Sequence, residues 1–234
     1  MREVVFNGAA GRLEGKYYRC EEENNAPAAL ILHPHPLHGG TMNNKVVYSM
    51  FHSFVRNKFS VLRFNFRGVA KSMGTFDQGI GELLDAATAL DWLQNDNPEA
   101  SSYWIAGFSF GAWIALQLLM RRPEVNGFAA VAVPANLYDF NFLSPCPTQG
   151  LIIQGSQDEI VLEESVYKLY ERIDKQHNAN IEYHIINTDH FFDNKLDELG
   201  QIVDEYLKVN VNRHMLQKKL KRDRRKRNYN ENVT

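Results

Sequence analysis

The sequence predicts an α/β fold, a mostly parallel, twisted sheet with helices on both faces. Three observations predict it. Short β-rich runs alternate with longer helical ones about five times along the chain. The run Ala28–His33 is apolar up to its last residue, as a strand covered on both faces must be. Gly or Pro stands at the joints, at Gly68, Pro98, Pro123 and Pro134.

The elements follow in order. Val4–Phe6 and Leu13–Arg19 flank Asn7-Gly8-Ala9-Ala10-Gly11 and predict an antiparallel pair. Ala28–His33 is the first buried strand. Lys45–Lys58 carries Val46, Val47, Met50, Phe51 and Phe54 at helical spacing. Ser60–Phe66 is a strand ended by Arg67-Gly68. Glu82–Gln94 places Leu83, Leu84, Ala87, Leu90 and Leu93 on one side of a helix, and Pro98 follows its end. Tyr103–Phe108 is a strand and Ala112–Met120 an apolar helix that stops before Pro123. Gly127–Val133 and Gly150–Gln154 are strands. Glu163–Lys175 is a helix, Ile181–Ile186 a strand, and Leu196–Val209 a last helix.

Composition narrows the class. The 234 residues are 44% hydrophobic and 23% charged, which excludes a mainly disordered or collagen-like chain. The net charge of −2 hides an asymmetry. Residues 1–211 hold 17 Lys and Arg against 26 Asp and Glu, whereas residues 212–234 hold 9 against 2. The expectation is one domain, 1–211, followed by a basic, flexible tail, 212–234. Cys20 and Cys146 are too few for a disulfide framework. No run reaches the ~20 apolar residues of a membrane span. The start shows no signal-peptide pattern, so a cytoplasmic location is expected.

Chemistry concentrates in a few joints. Gly107-Phe108-Ser109-Phe110-Gly111 follows an apolar strand and opens a helix. A serine on so tight a turn is pushed out over the carboxyl edge of the sheet, with the Phe110 N–H at the helix N-terminus beside it. The bland alternative is a Gly-rich turn with a Ser cap. A serine hydroxyl needs a base to become a nucleophile. Asp158, in Gly155-Ser156-Gln157-Asp158-Glu159, and His190, in Thr188-Asp189-His190-Phe191, each lie just past a strand end. In a parallel sheet such positions share one edge with Ser109. Glu159 and Asp189 compete with Asp158 for the acid's role. His184 inside a strand, His177 near a helix end and His214 in the tail are poorer bases than His190.

His33-Pro34-His35-Pro36-Leu37-His38-Gly39-Gly40 forms the loop after the first buried strand. Pro34 and Pro36 carry no N–H. A second donor to an oxyanion would come from His35, Leu37 or His38, with Leu37 favoured. The H-x-H-x-x-H spacing also invites a metal, yet no Asp, Glu or Cys lies within the loop, and neither a metal nor a cofactor is expected. His35, His38, Arg67 and Phe142 are the candidate substrate-binding residues. The alternatives are loop packing for the histidines and Phe142 and a loop-tying hydrogen-bond role for Arg67.

Through these segments the chain resembles the α/β-hydrolase superfamily over roughly residues 1–208. The resemblance rests on GFSFG, GSQDEIV, TDHFF and NFRG, and HPHPLHGG is similar to the loop of small bacterial members related to dienelactone hydrolases. It implies an eight-stranded-type sheet and no large cap domain, since only about 16 residues separate the strands ending at Val133 and starting at Gly150. It implies Ser109 as nucleophile, His190 as base, Asp158 as orienting acid and the Phe110 N–H as an oxyanion donor. Position 109 is serine where dienelactone hydrolases carry cysteine, so lactone opening is not expected. The activity expected is hydrolysis of a small ester or thioester. The partners expected are that small-molecule substrate, no obligatory nucleic acid and no membrane span; a homodimer is allowed. Two rivals stand beside it. One is a short-peptide serine peptidase. The other is a non-catalytic protein whose tail, Lys218–Arg227, contacts nucleic acid or an anionic membrane.

Overall fold

The computed structural model describes residues 1–175 and 180–211. Eight runs become strands: β1 Arg2–Gly8, β2 Gly11–Tyr18, β3 Ala28–Leu32, β4 Ser60–Phe64, β5 Tyr103–Phe108, β6 Val125–Val131, β7 Gln149–Gly155 and β8 Ile181–Ile186. Four helices, α1 Lys45–Arg56, α2 Ile80–Asp96, α3 Phe110–Leu119 and α4 Glu163–Asp174, are joined by a fifth, α5, over 196–211. The strands form one sheet in the order β1-β2-β4-β3-β5-β6-β7-β8. Only β2 runs against its neighbours; from β4 to β8 every pair is parallel. The expected architecture is therefore the observed one. The basic tail, His177 and His214 lie outside the described residues.

Alternation along the strands splits the core into two layers. Leu30, Leu32, Leu62, Phe64, Ile105 and Ile152 face one way, onto α2, α3 and α4. Ala29, Ile31, Val61, Trp104, Leu151 and Ile153 face the other, onto α1 and α5. The stripe Val46, Val47, Met50, Phe51 and Phe54 is the buried face of α1. Each such side chain stabilises the fold by roughly 1.5–3 kcal/mol. Phe54→Ala would cost about 3–5 kcal/mol, because it opens a cavity between α1 and β4.

Some element ends differ from the sequence reading. Helix α2 begins two residues before Glu82, because the Glu82 carboxylate accepts from the Gly79 and Asp77 N–H groups at 2.7 and 2.9 Å. Strand β6 ends at Val131, since Ala132 turns to φ 49° while its N–H donates to the Ile153 carbonyl. A short 3-10 turn, Pro36–His38, forms inside the loop after β3. Among the described residues no helix is long and apolar enough to cross a membrane.

Candidate active site

Parallel strands deliver three chain segments to one edge. Ser109 stands between β5 and α3 with φ 54° and ψ −120°, a strained backbone for a residue with a side chain. Such strain costs on the order of 1–3 kcal/mol and persists only where the surroundings impose it. Here they do. A Cβ at Gly107 would meet the Gly111 carbonyl oxygen at 2.3 Å, and one at Gly111 would meet the Leu32 carbonyl oxygen at 2.4 Å. The two glycines let β3, β5 and α3 converge at the turn. The Ser109 carbonyl begins α3 by accepting from Ala112 and Trp113. The Phe110 N–H, in the first turn, has no hydrogen-bond partner among the described residues.

Asp158 and His190 meet across the β7 and β8 loops. His190 Nδ1 lies 2.7 Å from Asp158 Oδ2, and both side chains are buried. The other carboxylate oxygen accepts from the Ile160 and Val161 N–H groups at 2.9 and 2.7 Å. With the carboxylate accepting, the imidazole proton sits on Nδ1 and Nε2 keeps a lone pair. The loops are stitched to each other by Ser156 N–H to Ile186 O and Gln157 N–H to Thr188 O. The imidazole also lies against Phe108, the residue before Ser109, with ring centroids 5.1 Å apart. The competitors are elsewhere: Glu159 is exposed, and Asp189 caps its own loop by accepting from the Phe191 N–H.

The loop after β3 differs from expectation. His35 Nδ1 accepts from the Leu37 N–H at 3.2 Å, and the His35 carbonyl accepts from His38 and Gly40. The Leu37 N–H is thus engaged, and its side chain points to solvent. Of the three N–H groups considered, that of His35 has no partner among the described residues. The His35 ring stacks on His38 at 4.3 Å and packs on Phe76 and on Phe110 of the elbow at 4.8 and 5.0 Å. Burial, then repulsion from His38, holds the His35 imidazole below its ordinary pKa. His33 is fully buried. Its Nε2 accepts from the Phe66 N–H at 3.0 Å and its Nδ1 donates to Pro34 O at 2.7 Å. Burial pushes it down from 6.5 to about 4. The H-x-H-x-x-H run is one structural and two stacked imidazoles, not three convergent ligands.

The structure places two of the expected substrate-binding residues in loop-tying and packing contacts. Arg67 holds Asp85 with two guanidinium bonds, of 2.9 and 2.7 Å, and its backbone N–H adds a third to the same carboxylate. A Cβ at Gly81 would meet the guanidinium at 2.0 Å, so α2 is packed flat onto it. It ties the β4 loop to α2, the alternative role the sequence allowed. Phe142 packs on Phe140 at 5.7 Å, in the loop that Arg172 fastens to α4. The aromatic of that loop that reaches the elbow is Tyr138, stacked on Trp113 at 4.1 Å and 6.2 Å from Phe110. Sequence reasoning also missed Gln154, whose amide donates to Asp158 Oδ2 at 3.3 Å and to Val161 O at 2.9 Å. Its signal was present: a lone polar residue at the end of the apolar run GLII.

Comparison with known proteins matches the fold. Residues 11–143 match the model of the X-Pro dipeptidyl-peptidase family, S15. An uncharacterized protein of Rickettsia prowazekii is 52% identical, covering 88% of this chain and 89% of that one. A candidate α/β hydrolase of unknown function from Agrobacterium tumefaciens superposes with a TM-score of 0.87 at 51% identity, covering 90% of this chain and 97% of that one. An α/β serine hydrolase without a lid from Xanthomonas campestris gives 0.79 at 33% identity, covering 87% and 92%.

Proposed function

The chain belongs to the small lidless α/β-hydrolases, and from that premise we propose that it is a serine hydrolase cleaving a small ester or thioester through an acyl-enzyme on Ser109. The observation that carries the proposal is the buried Asp158–His190 pair at the sheet edge where Ser109 is held in a strained turn. Ser109 Oγ attacks the carbonyl carbon while His190 Nε2 takes its proton. Asp158 fixes the tautomer and stabilises the imidazolium. The carbonyl oxygen becomes an oxyanion, held by the N–H groups of Phe110 and His35. The bond to the leaving group breaks, and His190 returns the proton to that group. Water then adds to the acyl carbon with His190 as base, the acid departs, and Ser109 regains its proton. A fluorophosphonate should label wild type and leave Ser109→Ala unlabelled. A folded wild type that stays unlabelled would sink the assignment.

The S15 match supports a second reading, a short-peptide peptidase. The matched stretch holds Ser109 but ends before Asp158 and His190. The reading predicts release of nitroaniline from an X-Pro p-nitroanilide faster than release of nitrophenol from the acetate ester. The tail-borne binding role rests on residues outside those described.

A further inference from the structure

Large apolar side chains left in solvent are unevenly placed. Leu37, Ile80, Leu137, Ile160, Leu162 and Phe191 are each 45–71% exposed. Five stand on connections at the carboxyl edge of the sheet, Leu37 after β3, Leu137 after β6, Ile160 and Leu162 after β7 and Phe191 after β8, and Ile80 opens α2 at the same edge. A seventh on this edge, Met73, leans instead on Gly11 in the β1–β2 turn. The connections at the amino edge carry none among the described residues. The remaining exposed ones lie on strand and helix surfaces or at Met1. A monomer scatters such residues singly, and a cluster around a site marks what the site binds.

The six lie on segments that carry or adjoin the residues of the site. Phe191 follows His190 and its ring meets the imidazole edge-on at 5.5 Å. Ile160 and Leu162 flank the turn that holds Asp158. The Ile160 carbonyl accepts from Asn136, next to Leu137. Leu137 precedes Tyr138, which stacks on Trp113, and Trp113 packs against Gly79 beside Ile80. Leu37 stands two residues from the His35 N–H. Charge on the same loops is mainly negative. Beyond buried Arg67 and Asp158, the connections 34–43, 65–79, 134–148, 156–162 and 187–195 hold Asp77, Asp139, Glu159, Asp189 and Asp193 against Lys71 and Lys195. Lys195 is paired with Glu198, Asp193 with Lys45 at the start of α1, and Arg67 holds Asp85 and lies 3.8 Å from Asp77, which leaves Asp139, Glu159 and Asp189 against Lys71.

Resting on the serine-hydrolase reading, we propose that this rim selects substrates with an apolar acyl chain and a leaving group free of negative charge. The chain lies along the open rim, and the carboxylates repel a polyanionic leaving group such as coenzyme A. The test is a p-nitrophenyl ester series from acetate to octanoate, beside octanoyl-coenzyme A and the neutral S-octanoyl-N-acetylcysteamine. We expect kcat/KM to rise about twofold per methylene, less than full burial of each would give. The triple variant Leu37→Ser, Ile160→Ser, Phe191→Ser should lower the octanoate-to-acetate ratio about tenfold, and Val5→Ser, on the far edge of the sheet, should leave that ratio alone. The neutral thioester should exceed the coenzyme A ester about tenfold at low salt, with the gap closing as salt rises. A flat chain-length series in an enzyme that hydrolyses acetate and takes the fluorophosphonate would overturn this inference alone. So would a preference for coenzyme A, or a triple variant that turns a dimer into a monomer with the ratio unchanged. Failure of both labelling and acetate hydrolysis would instead strike the hydrolase reading beneath it.

Discussion

Two buried histidines follow parallel strands of this sheet, His33 after β3 and His190 after β8, and they have opposite chemistry. His33 uses both nitrogens inside the protein, donating to Pro34 O and accepting from the Phe66 N–H. His190 uses one, toward Asp158, and its Nε2 has no hydrogen-bond partner among the described residues. His33 has no carboxylate beside it, so burial outweighs the opposing bond to Pro34 O and disfavours its charged form. His190 has a carboxylate to balance a positive ring. Place and burial therefore do not make a base. A vacant nitrogen and a fixed counter-charge do.

The strongest way to break this contrast is to remove each ring in turn. His190→Asn should lower kcat of ester hydrolysis by about 10⁴-fold or more, which is about 5 kcal/mol of transition-state stabilisation. The thermal midpoint should move little, since the ring leaves one hydrogen bond behind. Stopped-flow rates and a melting curve on the same sample would decide. A His190→Asn protein within tenfold of wild type would remove His190 from the mechanism.

The contrast sharpens at the carboxylate. Asp158→Asn keeps an oxygen for the Ile160 and Val161 N–H groups but turns an amide toward His190 Nδ1. The favoured tautomer then places the proton on Nε2, and the base is lost. We expect a drop of about 10³–10⁴-fold in kcat with KM nearly unchanged. Equal rates for Asp158→Asn and wild type would mean that another acid orients the ring.

Much of this was legible in the chain. Strand and helix order follows from apolar periodicity, which local sequence records directly. That Ser109, Asp158 and His190 come to one edge of the sheet was readable because each sits in a short segment tied to one strand end. Which N–H of the β3 loop stays without a partner was not readable. Whether Leu37 or His35 presents its N–H depends on where the His35 ring turns, and that ring is fixed by Phe76 and Phe110, far along the chain. The partner of Arg67 was hidden for a similar reason. Its partner Asp85 lies on another element, and nothing local says which carboxylate will face it. Tyr138 was passed over for Phe142 because that connection has no periodicity to orient its aromatics.

His33 should answer in stability rather than in rate. His33→Leu leaves the Phe66 N–H and the Pro34 carbonyl without their ring partners. Each buried unsatisfied group costs about 1–3 kcal/mol, so we expect a loss of roughly 2–4 kcal/mol in a urea titration. Ester hydrolysis per folded molecule should fall far less than in His190→Asn. A rate loss on the scale of His190→Asn, in protein that is still folded, would place His33 in the chemistry and erase the contrast.

The smallest effect is the most specific. Folded His33 takes a proton only near pH 4, whereas the unfolded imidazole takes one near 6.5. Between those values the unfolded chain holds more protons, so stability rises with pH. The contribution is complete above pH 6.5 and is lost as pH falls toward 4. From pH 7 to pH 5.5 it amounts to about 1 kcal/mol. Other groups titrate over the same range, so the quantity to measure is the difference in pH slope between wild type and His33→Leu. The variant should show the shallower slope. Identical slopes would mean that the buried ring accepts a proton as readily as an exposed one, which the Phe66 N–H donating into Nε2 does not permit.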